Sequence, residues 1–63
     1  MKTRLKDIRR IQYGLTLEEM SKILGCSPSY LSEIENGIKF PSGKMLDKFS
    51  KKLNIPASKL IKD

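Results

Sequence analysis

A chain of 63 residues has room for one domain, which buries only about 60% of the surface its unfolded form exposes, so any core must be tightly packed. Thirteen Lys and Arg against seven Asp and Glu give a formal net charge of +6; this points to a polyanion such as nucleic acid or anionic lipid, or is simply a solvated cationic surface. One cysteine, Cys26, and no histidine exclude an internal disulfide and leave a zinc site without ligands, so no metal and no cofactor are expected and a reducing cytoplasm is the default.

No apolar run approaches the roughly 20 residues that cross a bilayer, so no membrane partner is expected. The opening MKTRLKDIRR lacks the apolar stretch and cleavage site of a secretory signal. Low-complexity tracts and internal repeats are not found, and the short polar pieces with Pro and Gly read as turns. The expectation is one domain over residues 1–63.

In chain order, the first predicted element is a helix over about 3–13. Leu5, Ile8 and Ile11 recur at every third position, Thr3 is placed to cap the start, and Gly14 stops the run. Its other face is basic. TLEE, at 16–19, is a capping box, in which the Thr16 hydroxyl accepts from the Glu19 amide and the Glu19 carboxylate from the Thr16 amide. A second helix over 17–24 follows, with Met20, Ile23 and Leu24 as its apolar stripe, Leu17 one turn earlier, and Gly25 as the left-handed stop. Ser27 is a good N-cap and Pro28 suits the first helical position, which opens a third helix over about 28–36, closed by Gly37. Leu31 and Ile34 face inward.

A fourth helix starts behind the cap Ser42, runs through Met45, Leu46, Phe49 and Leu53, and stops at Asn54. A short fifth covers 57–61. No run of β period has useful length, so the expected fold is all-α, a compact bundle of five short helices. Its predicted core is Met20, Ile23, Leu31, Ile34, Met45, Leu46, Phe49 and Leu53. One stretch stands apart: SPSYLSEIENG, at 27–37, holds four hydroxyls, two carboxylates and no Lys or Arg inside a basic chain.

Helices two and three, with Gly25 between them, have the proportions of a helix-turn-helix over about 16–35. The ordered features Gly14-Leu15-Thr16, Glu18-Glu19-Met20, Leu24-Gly25, Ser27, Leu31-Ser32, Ile34-Glu35, Gly37, Pro41-Ser42 and the helix from Leu46 to Ile55 span almost the whole chain. In these features the chain resembles the Cro/CI-type (Xre-like) family of helix-turn-helix transcriptional regulators. The resemblance implies the lambda-repressor-like DNA-binding fold, in which the N-terminal half of helix three enters the major groove while helix two crosses the backbone. It also accounts for the acidic, hydroxyl-rich segment: basic side chains and helix N-termini around it hold phosphates, while its own polar groups face base edges.

Carried over position by position, the resemblance implies base contacts from Pro28, Ser29, Tyr30, Ser32 and Glu33. Glu33 suits a cytosine amino group and the serines several bases. Pro28 departs from the Gln or Arg common there and offers only shape or an apolar touch, or serves the helix start alone. Tyr30 reaches a phosphate or base edge, or lies along helix two. Phosphate contacts are implied for Leu17 through its amide, Ser27, Asn36, Lys39, Gly43 and Lys44. Leu17 is a departure, since the family commonly has a bracing Gln there. Glu35 pairs with an arginine of helix one: counting back from Gly14 gives Arg10, the preferred choice, and the register of Leu5 and Ile8 gives Arg9. Cys26 stands where the family has a small apolar packing residue. Phe40, Ile55, Pro56 and Leu60 either complete the core or form a two-fold interface, through which the family dimerises.

The resemblance thus implies a dimeric, sequence-specific repressor of phage, plasmid or restriction-system type acting on a palindromic double-stranded operator. The alternative is an antitoxin or adaptor that uses the same scaffold on a protein. An enzyme is not expected, because the chain has no histidine, no nucleophile with a base beside it and no room for a sizeable pocket.

Overall fold

Three hydroxyls start three helices, each accepting one of the amides that a first turn leaves without a partner. In the computed structural model, which describes residues 2–62, Thr16 accepts from the Glu19 amide, Ser27 from Tyr30 and Ser42 from Met45, at 3.1, 3.1 and 3.2 Å. The capping box is complete, with the Thr16 amide donating to Glu19 Oε1 at 2.9 Å. These caps open α2 (Leu17–Leu24), α3 (Pro28–Glu35) and α4 (Gly43–Leu53). Gly25 ends α2 in the left-handed conformation, φ 74°, and Asn54 ends α4 in the same way.

The two ends of the chain differ from the all-α expectation. Lys2–Thr3 forms β1 and pairs antiparallel with Ile61–Lys62, β2, in the register Thr3 to Ile61 and Lys2 to Lys62. The Arg4 amide extends this clasp by donating to the Leu60 carbonyl at 2.7 Å. Thr3 is therefore a strand residue and not a helix cap. The first helix, α1, covers 5–13, starting as a single α-turn at Leu5–Asp7 and widening into a π-helix at Ile8–Tyr13. The expected fifth helix is only a 3-10 turn, Ala57–Lys59. Among the described residues the chain is mostly helical, with four helices and one two-stranded sheet.

The core is drawn from every helix and from the clasp: Leu5, Ile8, Met20, Leu24, Leu31, Ile34, Leu46, Phe49, Leu53 and Leu60. Met45 packs against its edge. One predicted core residue, Ile23, and one apolar position of the first helix's predicted period, Ile11, lie elsewhere. Ile11 is 82% exposed, because in the wider π-helix a residue three positions beyond Ile8 falls short of a full turn. Ile23 is half-exposed, and the buried stripe of α2 includes Ser21 instead. Leu17, Met20, Ser21 and Leu24 share the i, i+3, i+4, i+7 spacing of one face. Ser21 tolerates burial because its hydroxyl donates to the Glu18 carbonyl at 2.7 Å. No helix among the described residues is long and apolar enough to cross a membrane.

Candidate functional site

The site is built around α3, whose inner face is fixed by burial and by one ion pair. Leu31 and Ile34 are fully buried. Beside them the Arg9 guanidinium grips Glu35 through two parallel bonds, Nε to Oε2 at 2.8 Å and Nη2 to Oε1 at 2.9 Å. Its remaining arm, Nη1, donates to the Leu15 carbonyl at 3.0 Å. Both side chains are largely shielded from water, 13% and 4% exposed, and the bond to Glu35 raises the Arg9 pKa above its ordinary value. One arginine thus ties α1 to α3 and to the residue that precedes the α2 cap, a planar donor fork matched to a carboxylate. The expected partner Arg10 is exposed and is replaced in this role by Arg9. The physical reason is the π-helix, which adds residues to the turn before Gly14 and spoils a count made backwards from it.

The outer face carries the expected base readers. Pro28 and Ser29 are exposed; Tyr30, Ser32 and Glu33 are partly so. Ser32 Oγ accepts from Asn36 Nδ2 at 3.3 Å, so the exposed Asn36 leans back along the helix. Past Gly37, in the left-handed conformation at φ 76°, the chain folds back on α3. The amides of Ile38 and Lys39 both donate to the Glu33 carbonyl, at 2.9 and 3.2 Å. This return lays the Lys39 ammonium 3.4 Å from Glu33 Oε1 and 5.9 Å from the centre of the Tyr30 ring. Tyr30, Glu33 and Lys39 form one group, an arrangement that chain order alone does not show.

Two helix starts flank α3 in sequence, and they differ in charge. The first turn of α2 holds Glu18 and Glu19. The Glu19 carboxyl titrates below its ordinary value because it accepts the Thr16 amide, so this start is already supplied with negative charge. The first turn of α4 holds no acid, and the exposed Gly43 and Lys44 stand with their amides and the positive end of the helix dipole open to an anion. Ser27 is exposed and Leu17 half-buried. Cys26 is half-buried, and burial pushes its thiol pKa up, which disfavours the reactive thiolate.

The four residues expected at a two-fold interface are not brought together. Leu60 is fully buried in the core and is withdrawn from any partner, because the β1–β2 clasp draws it inward. Ile55 and Pro56 line an open groove of about 590 Å³ with Arg4, Ile8 and Gln12. Phe40 is 40% exposed and does not line that groove.

The sequence pattern of the helix-turn-helix family matches residues 5–60. The chain is 43% identical over 51 residues to the ImmF control region 10 kDa protein of Bacillus phage phi105, covering 81% of this chain and 56% of that protein. It is 41% identical over 54 residues to the transcriptional regulator ClgR of Mycobacterium tuberculosis, covering 86% and 48%. It is 39% identical over 57 residues to the uncharacterized HTH-type transcriptional regulator YazB of Bacillus subtilis, covering 90% and 81%. The chain therefore spans about half the length of the first two relatives. No solved structure matches it.

Proposed function

Since the chain belongs to the Cro/CI-type helix-turn-helix family of transcriptional regulators, which are not enzymes, we propose that it is a dimeric, sequence-specific repressor that binds a palindromic double-stranded DNA operator. One observation carries the reading. The α3 helix is locked from behind by Arg9 and Glu35 while its free face presents Ser29, Tyr30, Ser32 and Glu33, hydrogen-bonding side chains of the kind that read base edges in the major groove. Pro28 at the tip of α3 adds a rigid apolar edge, suited to a thymine methyl.

Affinity comes from other groups. The amide of Leu17, the hydroxyl of Ser27, Asn36 and the start of α4 at Gly43 and Lys44 hold phosphates, the last of these most strongly because its first turn carries a cation and no acid. Lys39 belongs to a different group, because its ammonium is turned onto Glu33. Dimerisation uses Phe40, Ile55 and Pro56, with half-sites about 34 Å apart on one face of the duplex. Location in the cytoplasm follows from this role.

Fluorescence anisotropy on a pool of random duplexes, with selection and sequencing of the bound fraction across salt concentrations, tests the reading. Recovery of a palindromic consensus whose affinity falls steeply with salt is the expected result. Binding that is weak and blind to sequence at every salt sinks it. The second reading, a protein-docking antitoxin or adaptor, is favoured by one observation, the exposure of Ile11 and Ile38 at 82% and 70%.

A further inference from the structure

Resting on the reading of α3 as the DNA-reading helix, we propose that Glu33 and Lys39 act together as one reading unit for a C·G base pair, and that Lys39 is a specificity residue and not a phosphate anchor. The two charged ends lie 3.4 Å apart, an acceptor beside a donor. A C·G pair shows the complement in the major groove: the cytosine amino group donates, and the guanine carbonyl next to it, with N7, accepts. The ion pair leaves most of the bonding capacity of both groups free, since a carboxylate has about four lone-pair sites and an ammonium three protons.

Three features hold the unit in register. The amides of Ile38 and Lys39 anchor the returning loop to the Glu33 carbonyl. The left-handed Gly37 makes the reversal possible. The Tyr30 ring lies under the ammonium at 5.9 Å, within the range of a cation–π contact. Charge gives the pairing its purpose. A lone carboxylate pushed into the groove is repelled by the phosphates on both sides, whereas Glu33 with Lys39 enters as a neutral pair.

The test measures anisotropy affinities of the wild type, Glu33→Gln, Lys39→Gln and the double variant on the selected operator, on all its single-base-pair substitutions and on random duplex, across salt. Circular dichroism melts confirm that each variant folds. The wild type is expected to prefer C·G at one position of each half-site by roughly 5- to 150-fold, the worth of one bidentate contact. Each single variant loses that preference, and the double variant loses no more than either single one. Glu33→Gln also releases Lys39 to the phosphates, so its binding to random duplex tightens and its log–log salt slope steepens by about 0.9. If Lys39→Gln instead weakens every sequence by one common factor, with a slope shallower by about 0.9 and the base preference intact, Lys39 is a phosphate anchor and the proposal is overturned. A wild type that treats all duplexes alike removes the regulator reading and this unit with it.

Discussion

The α3 helix carries two acid–base pairs on opposite faces, and they are built to different ends. Glu35 and Arg9 are shielded from water, joined by two short parallel bonds, and completed by a third bond to a backbone carbonyl. Glu33 and Lys39 are joined at 3.4 Å with side chains 37% and 54% exposed. The inner pair is engaged inside the protein at every guanidinium nitrogen and at both carboxylate oxygens, and so it fixes position. The outer pair has kept hydrogen-bonding capacity, and so it can be exchanged for another partner. The same two kinds of residue thus serve as a bolt and, in the proposed reading, as a probe, according to how exposed and how firmly bonded they are.

Breaking the bolt has the largest expected effect. Arg9→Ala leaves the Glu35 carboxylate buried without a counter-charge and should lower stability by about 3–5 kcal/mol, read from urea unfolding, while Arg10→Ala changes it by less than about 0.5 kcal/mol. Equal losses from the two variants are incompatible with the pairing seen here. Replacing both partners by apolar residues, Arg9→Met with Glu35→Leu, should recover most of the loss, because no charge is then left unpaired.

Thr3 sharpens the point from the other side. Its hydroxyl oxygen is buried and finds no hydrogen-bond partner among the described residues, the reverse of Arg9, whose three nitrogens all donate. Thr3→Val should therefore raise stability by about 1 kcal/mol in the same measurement. A loss on that substitution means the hydroxyl has a partner after all.

Lys39→Ala should cost only about 0.2–1 kcal/mol of stability, as for other exposed pairs, even where it changes which DNA is bound. A loss comparable to that of Arg9→Ala makes the outer pair a second bolt. The smallest effect concerns a third acid, Glu19, which is also engaged but wholly at the surface. Its carboxyl titrates below the ordinary value of 4.5 in the folded chain, so its contribution is whole above that value and is lost as pH falls through the lowered one. In an acid titration followed by circular dichroism, wild type and Glu19→Gln should therefore differ at neutral pH and converge towards the acid end.

How much of this was legible in the sequence depends on range. The caps at Thr16, Ser27 and Ser42 and the stop at Gly25 need only neighbours three or four residues away, and all four stand where the residue types put them. The resemblance carried by Leu24-Gly25, Ser27 and Ile34-Glu35 named the family. What failed depends on partners far along the chain or on a departure from α geometry. The register of Leu5 and Ile8 points to Arg9, but the count back from Gly14 that favours Arg10, like the extension of the period to Ile11, assumes regular α geometry, which the π-helix breaks. For Leu60 the sequence leaves core and interface both open, because two-residue strands are too short to show the alternating pattern that decides for the core. The meeting of Lys39 with Glu33 and Tyr30 turns on one left-handed glycine, which sequence marked as a stop and not as a reversal.

The clasp of β1 and β2 has a consequence for the order in which the molecule is made. It joins Thr3 to Ile61, so closing it means closing a loop of nearly the whole chain, and contacts of such separation are the slowest to form. Leu60, wholly inside the core, enters by the same step. A nascent chain on the ribosome can wind its helices as they emerge, but it can seal its interior only when residues 60–62 have left the exit tunnel. Until then the hydrophobic centre stands open at one end, and α3 has no settled platform beneath it.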